Sequence, residues 1–295
     1  MSDLRRVVAV DVGGTKIAAA VVDSEGKIHE KIKLKVDRDR SVEQVAEAAA
    51  QAVAAADVGW ESVDAVGVDV PGIYYPRTGL VWAPNLPGWD RIPLRTILEA
   101  RLPRQIVVDS DRSAYVLGEQ WMGAARGFRD VVFVAVGTGI GAGIVMDGRL
   151  CRGAEGIAGA VGWFAVNPEK KEIYKQVGCW EAEAAGPAVA RRGGAESAER
   201  VVEAARRNDP EAKRVLGETV RWLAMGIANL ISVLNPEIVV LGGGLMQAGD
   251  LLLEPLRREV PEWAQPLAAE SVRIELTKLG EDAGLLGAAR LALDA

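Results

Sequence analysis

The sequence predicts a two-lobed α/β protein, and three observations predict it: a length of 295 residues, strand-like and helix-like segments in alternation, and an internal repeat. The length fits two domains of ordinary size. Short apolar runs alternating with amphipathic periodic segments are the pattern of an α/β fold. The repeat lays Val7–Asp23 without gaps over Val131–Asp147, an offset of 124 residues. Each copy reads as an apolar strand, a Gly/Thr-rich tight turn and a second apolar strand ending in turn chemistry at Asp23 to Gly26 or at Asp147-Gly148. One β-hairpin therefore opens each lobe.

Between the hairpins, Ser41 to Ala56 carries Ser at a helix start, Gln44 three residues on and Ala/Val at helical spacing, which predicts an amphipathic helix. Val63 to Val70 reads as a strand, and Pro71-Gly72 and Trp82 to Trp89 as Pro- and Trp-rich loop. Ile106-Val107-Val108 is a short buried strand running into Asp109-Ser110-Asp111, with a helix from Arg112 to Met122. After the second hairpin the sequence predicts an irregular stretch to about Gly178, then helices over Cys179–Arg192, Ala195–Asn208 and Pro210–Leu234. A buried strand Ile238–Leu241 closes on Gly242-Gly243-Gly244, and a helix follows over Asp250–Val260. A strand Val272–Thr277 and a final helix Ala283–Leu293 complete the order.

Composition narrows the function. With 49% hydrophobic and 26% charged residues the chain has material for a sizeable core and a charged surface, so it is globular. A net charge of −6 argues against nucleic acid or anionic membrane as partner, because both reward clustered Lys and Arg. A small molecule is the expected partner. No stretch reaches the roughly 18 uninterrupted apolar residues of a membrane helix. The first residues lead into Val7-Val8-Ala9-Val10 without a leader-like apolar region, so a cytoplasmic location is expected. Cys151, Cys179 and the single His29 are too few for a disulfide framework or a Cys/His zinc site.

Glycine-rich turns that close strands let backbone N–H groups approach a phosphate unobstructed. Gly13-Gly14 and Gly137 to Gly143 could each serve a hairpin alone; as a matched pair beside Asp11, Thr15, Lys16 and Thr138 they suit a polyphosphate. Ile144-Val145-Met146 continues as strand after the second turn, so the dinucleotide-binding context is missing, and no GxxxxGK[ST] segment occurs. Asp111 reads either as a helix cap or as a general base fixed at a strand end.

Asp11-Val12-Gly13-Gly14-Thr15-Lys16, Pro84–Trp89, Ser110-Asp111 with Leu117-Gly118-Glu119, Gly137–Gly141, Gly178-Cys179-Trp180-Glu181 and Leu241–Gly244 resemble, in order and spacing over nearly the whole chain, the motifs of the ROK family. That family contains repressors, open reading frames and kinases, bacterial glucokinases among them. The resemblance implies the actin-like ATPase (ribonuclease H-like) fold, with a cleft between lobes formed by residues 1–120 plus 283–295 and by residues 121–282. It implies ATP-dependent phosphorylation of a sugar hydroxyl with Asp111 as general base and Asp11 helping to hold magnesium. Gly13, Gly14, Thr15, Lys16, Gly137, Thr138 and Gly139 would hold phosphates, and Gly242, Gly243 and Gly244 would meet adenosine. Gly72, Asn85, Ser110, Asp111, Arg112, Trp163 and Glu181 are the sugar-binding candidates. A homodimer is also implied.

The chain departs from the family where the sugar should bind. Typical ROK sugar kinases carry an Asn before the base, a Glu and a His in a GExGH-like segment, and a Glu ending a GCxE segment; the positions here read Ser110, Ala160, Trp163 and Glu181. The family's zinc cysteines are reduced to Cys179, with Lys170-Lys171-Glu172 filling the region, so zinc is not expected. The losses bear on substrate choice more than on ATP, because a site built to bond a hydroxyl discriminates by those bonds. Trp163 could stack on a sugar, and Arg112 could pair with an anionic substituent. A catalytically silent sugar-binding protein and a sugar-responsive repressor are the competing functions; the repressor would need a DNA-binding domain besides these lobes.

Overall fold

The apolar run that opens the chain forms the first of two similar sheets in the computed structural model, which describes residues 4–295. In chain order the elements of the first unit are β1 (Arg6–Val12), β2 (Lys16–Asp23), β3 (Ile28–Lys35), α1 (Ser41–Ala55), β4 (Ala65–Val70), β5 (Ile73–Tyr75), β6 (Leu80–Trp82), α2 (Leu94–Glu99), β7 (Gln105–Ser110) and α3 (Asp111–Met122). The second unit carries β8 (Val131–Val136), β9 (Ile140–Met146), β10 (Arg149–Leu150), α4 (Tyr174–Val177), α5 (Cys179–Ala184), α6 (Gly186–Arg192), α7 (Ala198–Arg206), α8 (Pro210–Leu234), β11 (Ile238–Gly242), α9 (Gly249–Glu259), α10 (Pro266–Ser271) and β12 (Arg273–Leu276). The last helix, α11 (Ala283–Leu293), belongs to the first unit, as do Arg152–Ile157.

Each unit is built on a five-stranded mixed sheet, ordered β3-β2-β1-β4-β7 in the first and β10-β9-β8-β11-β12 in the second. In both, an antiparallel hairpin feeds a parallel run: β1 pairs antiparallel with β2 and parallel with β4, and β8 pairs antiparallel with β9 and parallel with β11. The internal repeat is therefore structural. Its ungapped form slips by one residue in the turn, because Val12 pairs with Ile17 whereas Val136 pairs with Ile140. The second turn is one residue tighter.

The central strands of both sheets are buried on both faces, which is why they read as continuous Val/Ile/Ala runs. The first core joins Val8, Val10, Ile17, Val66, Val68 and Ile106 to the Ala/Val stripe of α1 and to Trp89, whose indole N–H donates to Ser41 Oγ at 2.8 Å. The second gathers around α8, with Leu223, Ile227 and Ile231 fully buried and Trp180 stacked on Phe164 at 5.9 Å between centroids. Among the described residues no helix is long and apolar enough to cross a membrane.

Glycines set how closely α11 approaches the first sheet. A Cβ at Gly67 of β4 would lie 1.9 Å from the Ala288 carbonyl oxygen, one at Gly118 of α3 2.5 Å from that of Ala283, and one at Gly287 of α11 1.8 Å from that of Ala114. The final helix thus rests backbone to backbone on β4 and α3.

Four local expectations are corrected. β3, β5, β6, α2 and α10 were not anticipated; β3 has exposed Glu30, Lys31, Lys33 and Lys35 between its apolar positions, which marks an edge strand. The single helix expected over Cys179–Arg192 is two, because Ala185 is extended (ψ 167°) and Pro187 opens the second. The helix expected over Ala195–Asn208 is shorter, Ala198–Arg206, since residues 193–197 form turns ahead of it. The stretch before Gly178 is irregular as expected but contains β10 and the single turn α4.

Candidate active site

In the first unit the parallel strands β1, β4 and β7 carry Asp11, Asp69 and Asp109 in register, one per strand, near their C-terminal ends. In open α/β sheets that end is where ligands bind. The next residues of β7 turn into α3. Ser110 sits in the extended region, and its Oγ accepts the N–H of Ser113 at 3.4 Å, so Ser110 is the helix cap. Asp111 is then the first helical residue and does not cap; its Oδ1 accepts the N–H of Arg112 at 2.7 Å.

Burial is the largest influence on the Asp111 carboxyl and pushes its pKa to about 6, against the pull of the Arg112 cation and N–H and with a further push from Asp11. A carboxylate poised one unit below neutral is ionised at pH 7 yet basic enough to take a proton. Burial likewise raises Asp11. Burial of the whole side chain, and then the charges of Asp11 and Asp111, raise Asp69 well above the ordinary carboxylate range. Asp109, also buried, is held by Arg152 Nε at 2.6 Å and by the Ser110 N–H at 2.8 Å.

The first glycine turn follows Asp11 directly. Gly13 N–H donates to the Lys16 carbonyl at 2.9 Å, and Val36 N–H to that of Thr15 at 3.0 Å, leaving Gly14 with open space around it. Lys16 lies 3.8 Å from Glu281 in an exposed pair. Gly72 accepts from Arg112 Nη2 at 3.3 Å, so Arg112 lies across the loop after β4. Asn85 is exposed in its loop, and the Ser110 hydroxyl is buried and engaged in capping.

The second unit brings its own candidates together. Gly137 N–H donates to the Gly139 carbonyl at 2.9 Å and its carbonyl accepts the Gly186 N–H at 2.8 Å, fixing the turn that holds Thr138. Glu181 on α5 closes on the same turn: Oε2 accepts the Ile140 N–H at 2.8 Å, and a Cβ on Gly139 would lie 2.6 Å from that oxygen. Burial raises the Glu181 pKa, offset in part by that N–H. The Gly242-Gly243-Gly244 turn abuts the other side; Gly243 has φ 91° and a Cβ there would lie 2.5 Å from the Val136 carbonyl, while the Gly244 nitrogen lies 3.6 Å from the place of a Cβ on Gly137. Trp163 stands 58% exposed, the indole unburied and available, in a turn that packs on Gly178.

Behind this turn, Glu183 is buried among Lys171 Nζ at 2.6 Å, Asn167 Nδ2 at 3.3 Å and the Tyr174 hydroxyl. Burial alone would raise its pKa, but these donors outweigh it and hold the carboxyl low. The network ties residues 167–174 to α5, the helix that carries Glu181.

Asp69 is the residue that sequence reasoning missed. Its signal was present: one carboxylate inside the otherwise uncharged strand Ala65-Val66-Gly67-Val68-Asp69-Val70.

Residues 7–295 match the model of the ROK family. A glucokinase of Thermotoga maritima is 33% identical over 97% of this chain and 96% of its own length. Among solved structures, a ROK hexokinase of Thermus thermophilus superposes with a TM-score of 0.84 at 34% identity over 98% of both chains. A ROK glucokinase of Streptomyces griseus, solved with glucose and AMPPNP, gives 0.79 at 32% identity over 98% of this chain and 100% of its own.

Proposed function

Since the chain belongs to the ROK family, we propose that it is a glucokinase-like sugar kinase, transferring the γ-phosphoryl group of ATP to a hydroxyl of a sugar or sugar derivative. The observation that carries the reading is Asp111: a carboxylate fixed on the first turn of α3, relieved of capping by Ser110 and raised to about 6. One oxygen of that carboxyl steadies the helix start through the Arg112 N–H, and its raised pKa is what suits the group to take a proton.

The acceptor hydroxyl is a weak nucleophile. Asp111 would accept its hydrogen bond, orient the oxygen toward the γ-phosphorus and take the proton as the new P–O bond forms and the bond to ADP breaks. Within the first unit the Gly13 to Lys16 turn would take phosphate; the second unit, taken by itself, has the Gly137 to Gly139 turn suited to phosphate and Gly242 to Gly244 suited to adenosine. Backbone N–H groups presented by glycine turns suit phosphate oxygens because no side chain intervenes. Asp11 and Asp69, oxygen donors side by side, suit magnesium. When bound, that ion neutralises charge on the transferring phosphates. The AMPPNP and glucose held by the Streptomyces griseus relative support the choice of nucleotide and of a sugar acceptor. The resemblance supports a cytoplasmic homodimer.

The acceptor is proposed to differ from plain glucose in carrying an anionic substituent. Ser110 spends its hydroxyl on the cap, Trp163 presents an apolar face, and Arg112 is the cation beside the base. A coupled assay of ADP release over neutral, amino and acidic sugars tests this. Wild type is expected to turn over an acidic sugar with the higher kcat/KM, and Arg112→Ala to lower that value about 10-fold or more, through KM, while leaving neutral sugars within about twofold. Equal use of neutral hexoses by both proteins, with no preference for acidic sugars, would count against the anionic acceptor.

A further inference from the structure

Glu183 lies two residues beyond Glu181 on α5, and its side chain is buried. Three polar residues of the preceding loop converge on its Oε1: Lys171 Nζ at 2.6 Å, Asn167 Nδ2 at 3.3 Å and the Tyr174 hydroxyl, which itself accepts from Asn167 Nδ2 at 3.0 Å. Burial and the bond to Glu183 push the Tyr174 phenol up to about 12, so it stays a donor at neutral pH. Arg192 on α6 donates to the Glu183 carbonyl and, at 2.7 Å, to Thr219 Oγ1 on α8, and its Nη1 lies 3.9 Å from Glu183 Oε2. Replacing a buried ionic group by apolar side chains of similar volume is often neutral or stabilising, so bulk stability does not account for this one; the single geometry it permits does.

The loop gathered onto Glu183 spans residues 164–178, and its two ends hold candidates for the acceptor. Trp180 N–H donates to the Phe164 carbonyl at 3.1 Å beneath the stacked rings of the same two residues. Gly178 has φ 87°, and a Cβ there would lie 2.4 Å from the Gly162 carbonyl oxygen and 2.8 Å from Trp163 Cα; a Cβ on Gly162 would lie 3.1 Å from Glu181 Oε2. Trp163 and Glu181 are thus set by one group of backbone contacts, and the middle of the loop is tied to α5 through Glu183. The zinc of the family does not fit these residues. Among the described residues no three His, Cys, Asp or Glu side chains gather to hold a metal, Cys179 Sγ lies 4.0 Å from the Asn167 carbonyl oxygen, and the Lys171 ammonium opposes a second cation at Glu183.

We propose that Glu183, Lys171 and Tyr174 are positioning residues: their ion pair and hydrogen bonds clasp loop 164–178 to α5 without a metal and so set Trp163 and Glu181 for the acceptor. The purpose rests on the kinase reading; the clasp itself does not.

The test follows hydrogen–deuterium exchange over residues 161–178, and steady-state kinetics with the best acceptor, on the full chain as wild type, Glu183→Gln, Lys171→Met and Lys171→Arg. Glu183→Gln and Lys171→Met are expected to exchange about 10-fold faster in that segment, with β8 and β11 as in wild type. Both are expected to raise KM for the acceptor about 5-fold or more and to keep KM for ATP within about twofold. Lys171→Arg, which keeps the charge, should stay within about twofold of wild type on every measure. Unchanged exchange in the two disrupting variants would overturn the clasp. A lower kcat at unchanged acceptor KM, the mark of a smaller folded fraction, would overturn the positioning role, and one zinc per purified chain whose removal loosens the same segment would overturn the metal-free clasp. Were Glu183→Gln unable to fold, Lys171→Met, at a side chain 44% exposed, would decide. Faster exchange in the variants of a chain that phosphorylates no sugar would fault the kinase reading and leave the clasp standing; an active kinase whose variants match wild type in exchange and acceptor KM would do the reverse.

Discussion

Replacing Asp111 with Asn is expected to lower kcat for sugar phosphorylation by about 10²–10⁴-fold, the range a positioned general base contributes. The substitution keeps size and hydrogen-bond reach and removes only the capacity to take a proton, so KM for ATP should stay within about twofold. Wild-type kcat/KM should fall as pH drops through about 6, because burial has raised the Asp111 pKa of the free enzyme to that value and only the ionised form acts as base. The residual activity of Asp111→Asn should lack that limb. A variant that keeps wild-type kcat and the same pH limb would remove Asp111 from the chemistry.

The same carboxyl links activity to stability with a definite sign. Its folded pKa lies above the ordinary 3.8, so the ionised form is disfavoured by folding, and the cost is present above about pH 6 and fades as pH falls toward 3.8. Asp111→Asn should therefore have a slightly higher Tm than wild type at pH 7–8, and the difference should shrink in acid. A gain in stability with a loss of rate marks a residue kept for function.

The second large effect is structural. Gly287→Val should destabilise the first unit by about 3 kcal/mol or more, at the upper end for overpacking, because its new Cβ would meet the Ala114 carbonyl oxygen at 1.8 Å. The obstacle is backbone, so no rotamer change relieves it; α11 and α3 must separate, and α11 also rests on β4 at Gly67. Tm should drop by roughly 6–12 °C, at about 2–4 °C per kcal/mol for units of this size. Gly217→Ala is the control: that glycine lies within α8 with nothing near its absent Cβ, and the change should be neutral or stabilise by about 0.5–1 kcal/mol. Equal Tm for Gly287→Val and wild type would mean that the helices do not pack as described.

What could be read in advance followed from signals local to the chain. The twin hairpins announced themselves as apolar runs closing on glycine, and the sheets confirm both; the one-residue difference between the turns could not be seen, since an ungapped overlay absorbs it without penalty. The Asp109-Ser110-Asp111 junction was legible as strand end and helix start, but which residue caps depends on backbone angles, and Ser110 took the role. β3 escaped because its charged residues mask a two-residue alternation of Ile28, Ile32 and Leu34 around a register shift near Ala19 and Val21. Asp69 escaped for a physical reason as well: one charge in an apolar strand reads as a local flaw until the register sets it beside Asp11. The proximity of Glu181 to the Gly137 to Gly139 turn, 41 residues distant from Ile140 in sequence, belongs to tertiary structure alone.

The most direct measurement is phosphorus NMR of the wild-type chain with ATP, Mg²⁺ and the best acceptor of the sugar panel. A sugar-phosphate ester resonance should grow in step with ADP, one for one, and should be nearly absent with Asp111→Asn. ATP left intact with every sugar, or broken down to ADP and free phosphate with no ester formed, would contradict the assignment of this chain as a sugar kinase.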